Sequence, residues 1–142
     1  MKSIIFHHQN YNHYGGVETF CFNTIKALSP HYKITFISKS FTASDLSELK
    51  KYCEIETYNP GKTYETDYCI LATARSITPT NIKASKTIQI VHADYKAYIE
   101  GWNFKYKKNP TTTHHVCVSN HVKNMFEETT GFKCDKVIYN LL

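Results

Sequence analysis

Seven short apolar runs punctuate the chain, at residues 3–8, 33–38, 53–58, 68–72, 87–92, 116–119 and 136–139. They are rich in Ile, Val, Tyr and Cys. Several are apolar on consecutive positions rather than alternate ones, which is the pattern of strands covered on both faces. Between them the period lengthens. Val17, Phe20, Cys21, Thr24 and Leu28 recur at helical spacing, and Pro30 closes that helix. Ser44 and Asp45 precede Leu46, Glu48 and Leu49 in a capping pattern. Ser119 stands where it can cap a helix carrying Val122, Met125 and Phe126, which Gly131 ends. Strand and helix alternating in this way predict an α/β fold with a mainly parallel sheet and helices on both faces.

Two stretches break the alternation. Residues 59–66 are polar and contain a Pro-Gly turn, which predicts a loop. Residues 93–113 are aromatic and basic, with Tyr95, Tyr98, Trp102, Phe104 and Tyr106 among Lys96, Lys105, Lys107 and Lys108. A connection of that length inside a compact domain is usually functional or mobile. Rings among lysines suit a groove that stacks on sugar rings, or the edge of an anionic bilayer. The plain alternative is a solvated loop with a few rings tucked into the core.

Composition narrows the class only moderately. A chain of 142 residues is enough for one domain with a real core, burying about 68% of its unfolded surface. No linker or internal repeat divides it. Its 42% hydrophobic and 20% charged residues argue against disorder. The formal charge of +5 favours anionic partners. Five cysteines, odd in number and without a CxxC pair, suit a reducing cytoplasm, and Cys69 and Cys117 read as buried hydrophobes. No stretch has the length of a signal peptide's apolar core or a membrane span.

Candidate chemistry gathers at strand ends. Gly15 and Gly16 lie between the first strand and the first helix, where a glycine pair signals a tight turn, a positive φ or a close approach to the main chain. A helix opening there offers free N–H groups to a phosphate. A plain strand-to-helix turn explains the pair equally well, and neither a GxGxxG nor a GxxxxGK[ST] signature is present. His92 ends the fifth strand and would share the carboxyl edge with Gly15 if both strands are parallel. Asp94 could orient that imidazole or meet a substrate hydroxyl, or could simply cap a helix over 95–101. His7-His8 and His114-His115 are adjacent pairs, which on a strand point to opposite faces and cannot chelate one ion. No HExxH motif or Cys/His ligand set occurs, so no metal or other protein-bound cofactor is expected.

The segments "YGGVETFCFNTIKALS", "IQIVHADY" and "HVCVSNHVKNMFEETTGFKCDKVIYNLL", in that order, resemble the amino-terminal domain of GT-B glycosyltransferases, within the retaining group called family 4. The resemblance covers essentially the whole chain. It implies one Rossmann-like half of a two-domain enzyme that moves a sugar from a nucleotide sugar to a glycan or lipid-linked acceptor, in surface polysaccharide synthesis. On this resemblance Gly15 and Gly16 approach the donor diphosphate, His92 lies near the transferred sugar, and Asn140 is where the chain turns towards the second domain. Asp94, Tyr95 and Trp102 become acceptor-side candidates. The donor-binding domain is expected beyond Leu142, so residues 1–142 alone are expected to be inactive. The expected location is cytoplasmic, with peripheral contact to an anionic membrane. Two other readings stand beside it. One is a Rossmann-like binding module completed by a partner chain. The other is nucleic-acid binding, which rests on charge and Lys/Tyr interleaving without an RRM, OB or helix-turn-helix signature, so no nucleic-acid partner is expected.

Overall fold

The computed structural model describes residues 1–12, 15–73, 78–93 and 106–139. Seven strands form one all-parallel sheet: β1 (Ser3–His7), β2 (Lys33–Ser38), β3 (Glu54–Thr57), β4 (Tyr64–Leu71), β5 (Ile82–Val91), β6 (His114–Cys117) and β7 (Lys136–Val137). Their order, β3-β2-β1-β4-β5-β6-β7, is Rossmann-like, and its direction of winding reverses between β1 and β4. The described helices are α1 (Gly16–Leu28), α2 (Leu46–Leu49) and α3 (Asn120–Thr130).

Consecutive apolar residues are explained by two buried faces. On one face Ile4 and Phe6 of β1 join Ile34 and Phe36 of β2, Ile70 of β4 and Ile90 of β5. Phe20, Cys21 and Ile25 of α1 and Leu49 of α2 cover them. The opposite face has two clusters. Ile5, Ile37, Cys69 and Leu71 pack with Tyr64 and Ile82, while Val91 and Cys117 pack with Val122 and Phe126 of α3, Tyr106 and Cys134. Cys69 and Cys117 are buried, as their place in apolar runs suggested.

Capping decides where α3 begins and ends. The Ser119 side chain accepts from the Val122 N–H, and Gly131 closes the helix at φ 75°, where a side chain would be strained. The cap expected on α2 does not form. Its N-cap Asp45 makes no capping bond, because its Oδ2 accepts from the buried Tyr11 hydroxyl at 2.9 Å, and the helix is only four residues long.

The alternation of strand and helix is not complete. Residues 58–63 join β3 to β4 without a helix. That crossing is held by side chains: the Tyr58 hydroxyl donates to Asn81 Oδ1 at 2.8 Å, and Asn81 Nδ2 donates to the Asn59 and Lys62 carbonyls. The loop expected over 59–66 therefore ends early, since β4 starts at Tyr64 and pairs with β5 from Ile82 onwards. Tyr106 follows the plain alternative for its segment, a ring tucked into the core. It is buried against α3, not exposed on a wet aromatic surface.

Candidate functional site

The reversal of strand order puts the carboxyl ends of β1 and β4 at the point where parallel α/β sheets open a ligand crevice. Four features meet around it: His8 just past β1, Ala72 and Thr73 just past β4, His92 just past β5, and the amino terminus of α1. The Ala72 N–H donates to the His7 carbonyl at 2.9 Å, which ties the β1 and β4 ends together.

Gly15 is the N-cap of α1, with extended backbone (φ −137°, ψ −171°), and Gly16 is the first helical residue. The positive φ considered for this pair is not adopted, so glycine is not there to relieve a left-handed turn. At Gly16 it is not there for packing either, because an added Cβ meets nothing within 4 Å. Gly15 has no side chain with which to cap the first-turn N–H groups, while its own carbonyl accepts from the Thr19 N–H at 2.9 Å and the Thr19 hydroxyl at 2.8 Å. The outcome is a helix start with open space at Gly16 and a partial positive charge.

Phe20, one turn further along α1, meets His92 edge-on, with ring centroids 4.7 Å apart at 80°. Burial pushes the His92 imidazole down to about 4; a hydrogen bond to the Ala72 backbone opposes this and the charge of His8 reinforces it. The Nε2 of His92 is buried and has no hydrogen-bond partner among the described residues, so the bond to the Ala72 carbonyl belongs to Nδ1. That assignment leaves the neutral ring with its proton on Nδ1 and a bare lone pair on Nε2. A buried nitrogen in this state is set up to accept from an O–H or N–H, and burial keeps it in that state at neutral pH.

The sequence reading missed one pair. Glu18 is 5% exposed in the first turn of α1, and its Oε2 lies 3.4 Å from Nε2 of His8, which is 9% exposed. A carboxylate is favoured at a helix amino terminus. The signal was the Glu two residues after the second glycine. It was legible only once α1 was known to lie across the end of β1. His7 and His8 do face opposite ways as expected. His7 sits edge-on to Tyr58 at 5.8 Å, and burial, with help from the charges of His8 and Lys39, lowers it to about 4.

Asp94, Tyr95 and Trp102, the acceptor-side candidates, lie outside the described residues, as does Asn140. His92 and the glycine pair thus come together at one crevice with His8 and Glu18. Among the described residues no group of three or more His, Cys, Asp or Glu could hold a metal ion, and no helix is long and apolar enough to cross a membrane. A separate groove of about 260 Å³ lies at the other end of the sheet, lined by Lys33, Thr35, Glu56, Lys62 and Tyr64, and takes no part in the crevice. No family model, curated protein or solved structure matches the chain.

Proposed function

We propose that this chain is the acceptor-side half of a retaining, GT-B-type glycosyltransferase that uses a nucleotide sugar. One observation carries the reading. At the reversal point of a Rossmann-like sheet, a glycine-opened helix start lies beside a neutral histidine whose Nε2 has no partner. In this reading the donor diphosphate reaches the main chain at Gly15 and Gly16, where N–H groups and the α1 dipole neutralise its charge. A hydroxyl of the transferred sugar donates to His92 Nε2, which holds the ring in place as the glycosidic bond to phosphate breaks. The acceptor hydroxyl attacks the anomeric carbon from the side the diphosphate leaves, and its proton passes to the departing phosphate oxygen. His92 is shielded in the free protein, so the sugar must displace the groups that cover it. The acceptor is a glycan or a lipid-linked sugar, and the exposed Lys107 and Lys108 suit an anionic membrane surface.

The test is an amide NMR titration of the chain with uridine and guanosine diphosphate sugars at millimolar concentration, repeated with Gly16→Val. The reading predicts saturable shifts at Gly15, Gly16 and Val17 that are lost in the variant. The variant should keep its melting temperature, because the added side chain enters open space. If no nucleotide sugar moves these amides, or if Gly16→Val binds as the unmodified chain does, the reading is wrong.

A further inference from the structure

His8 and Glu18 are buried at the crevice, yet the proposed transfer uses neither. The end of β1 is held from the β2 side, where the His8 N–H donates to the Ile37 carbonyl at 3.3 Å. Phe20, Cys21 and Ile25 anchor α1 over the same sheet, so both partners of the 3.4 Å contact are kept under cover. Glu18 is the third residue of α1. Its carboxylate therefore lies in the same positive field that would draw an anion to Gly15 and Gly16. Two negative charges that close, partly withdrawn from water, repel strongly. A buried carboxylate needs a countercharge, and the His8 imidazole supplies one when it is protonated.

The other titratable groups around the pair, among the described residues, keep one state near neutral pH. His7 on β1 and His92 beyond β5 both feel the charge of His8, and burial lowers each to about 4. Cys21 on α1 is held as the thiol by burial, with the Glu18 carboxylate adding to the effect. Lys39, just past β2, contributes a fixed positive charge on the His7 side. An imidazole ordinarily titrates near pH 6.5, so His8 is the member of this set able to gain a proton between pH 8 and 6. We infer that the His8–Glu18 pair couples anion binding at the start of α1 to a proton: His8 takes one from solvent as the anion arrives, and its charge then offsets that of Glu18. By linkage, the bound anion favours the protonated ring in return. The inference rests on the reading that the start of α1 receives an anion, and it does not require that anion to be a nucleotide sugar.

The experiment is a titration with sodium sulfate, whose charge is constant between pH 6 and 8, at constant ionic strength, read at the Gly16 and Val17 amides. It is run on the unmodified chain, Glu18→Gln, His8→Gln and the double variant. The affinity of the unmodified chain is expected to rise about tenfold or more from pH 8 to pH 6. Glu18→Gln, which removes the competing charge, should bind about tenfold more tightly than the unmodified chain at pH 8. His8→Gln should bind more weakly at pH 6 and lose the pH dependence. The double variant, neutral at both positions, should recover the pH 8 affinity of Glu18→Gln. That recovery separates charge from packing, since a merely structural pair would give losses in all three variants. A flat profile for the unmodified chain, or a Glu18→Gln variant that binds no better at pH 8, would overturn the inference. Sulfate that moves neither amide at any pH in any of the four proteins would overturn it too, and the transferase reading is then decided by the nucleotide-sugar titration alone. Proton-coupled sulfate binding without a response to nucleotide sugars keeps the inference and removes the transferase reading.

Discussion

His115 and His92 both lie beside aromatic rings, and their surroundings differ in one respect. His115 on β6 lies among Phe126, Phe132 and Tyr106, and the Tyr106 hydroxyl is 2.7 Å from its Nε2. Its backbone N–H donates to Asp135 Oδ2 at 2.8 Å. Burial lowers its pKa; Asp135 opposes that shift and Lys108 adds to it. His92, just past β5, meets the Phe20 ring, and its Nε2 has no partner among the described residues. Both are neutral at physiological pH. One is satisfied within the fold and serves to pin Tyr106 onto α3, while the other is left with an unused acceptor at the crevice. An unsatisfied buried polar atom costs about 1–3 kcal/mol, so a chain that satisfies one histidine and not its counterpart points to an outside partner for the second.

Acid should produce the largest effect, because it acts on every buried neutral histidine together. His7 and His92 each fall from 6.5 to about 4 in the folded chain. Unfolding lets them take up protons at the ordinary value, so their contribution is fully present above pH 6.5. It is lost progressively as pH falls from 6.5 towards 4, on the order of 2–3 kcal/mol for each ring. Urea midpoints measured across that window should drop steeply, and His92→Leu should flatten part of the slope. A profile that is level between pH 6.5 and 4.5 would mean these rings are not held neutral.

Tyr106→Phe comes next in size. It leaves His115 Nε2 buried without its partner, in effect giving His115 the condition of His92, and should cost about 1–3 kcal/mol in chemical denaturation. A loss below the error of the measurement would show that water replaces the hydroxyl, and the contrast between the two sites would weaken.

The smallest change in stability is expected for His92→Leu. Removing an unpaired buried nitrogen offsets the lost Nδ1 bond to Ala72, so stability should shift by less than about 1 kcal/mol, while binding of a nucleotide sugar falls to background. Destabilisation as large as that of Tyr106→Phe would return His92 to the structural class with His115.

Legibility from the sequence follows how local each signal is. Ser119 and Gly131 mark the ends of α3 correctly because caps are short-range devices. The centres of β1, β2, β4 and β5 show as apolar runs because both faces are buried there. The early parts of β4 and β5, with Glu65, Asp67, Lys83 and Lys86 among their residues, escaped because polar side chains interleave where the ladder is only partly covered. Asp45 looked like a cap, but a tertiary contact with Tyr11 claimed its carboxylate. Strand order has no local signature, so the crevice between β1 and β4 could not be located from the sequence. His92 and the glycine pair were legible as strand-end and helix-start residues. The His8–Glu18 contact was not, since it exists only when α1 crosses the end of β1.

The central claim, that His92 Nε2 is an unoccupied acceptor awaiting a ligand hydroxyl, can be measured directly by a long-range ¹H–¹⁵N spectrum of the histidine rings near pH 7, recorded with and without a nucleotide sugar. The prediction for the free chain is a His92 ring protonated on Nδ1 alone, and on addition of the ligand a shift of the Nε2 signal towards that of a hydrogen-bonded nitrogen, with His115 unchanged. A His92 ring protonated on Nε2, or an Nε2 signal that ignores every nucleotide sugar, would contradict it.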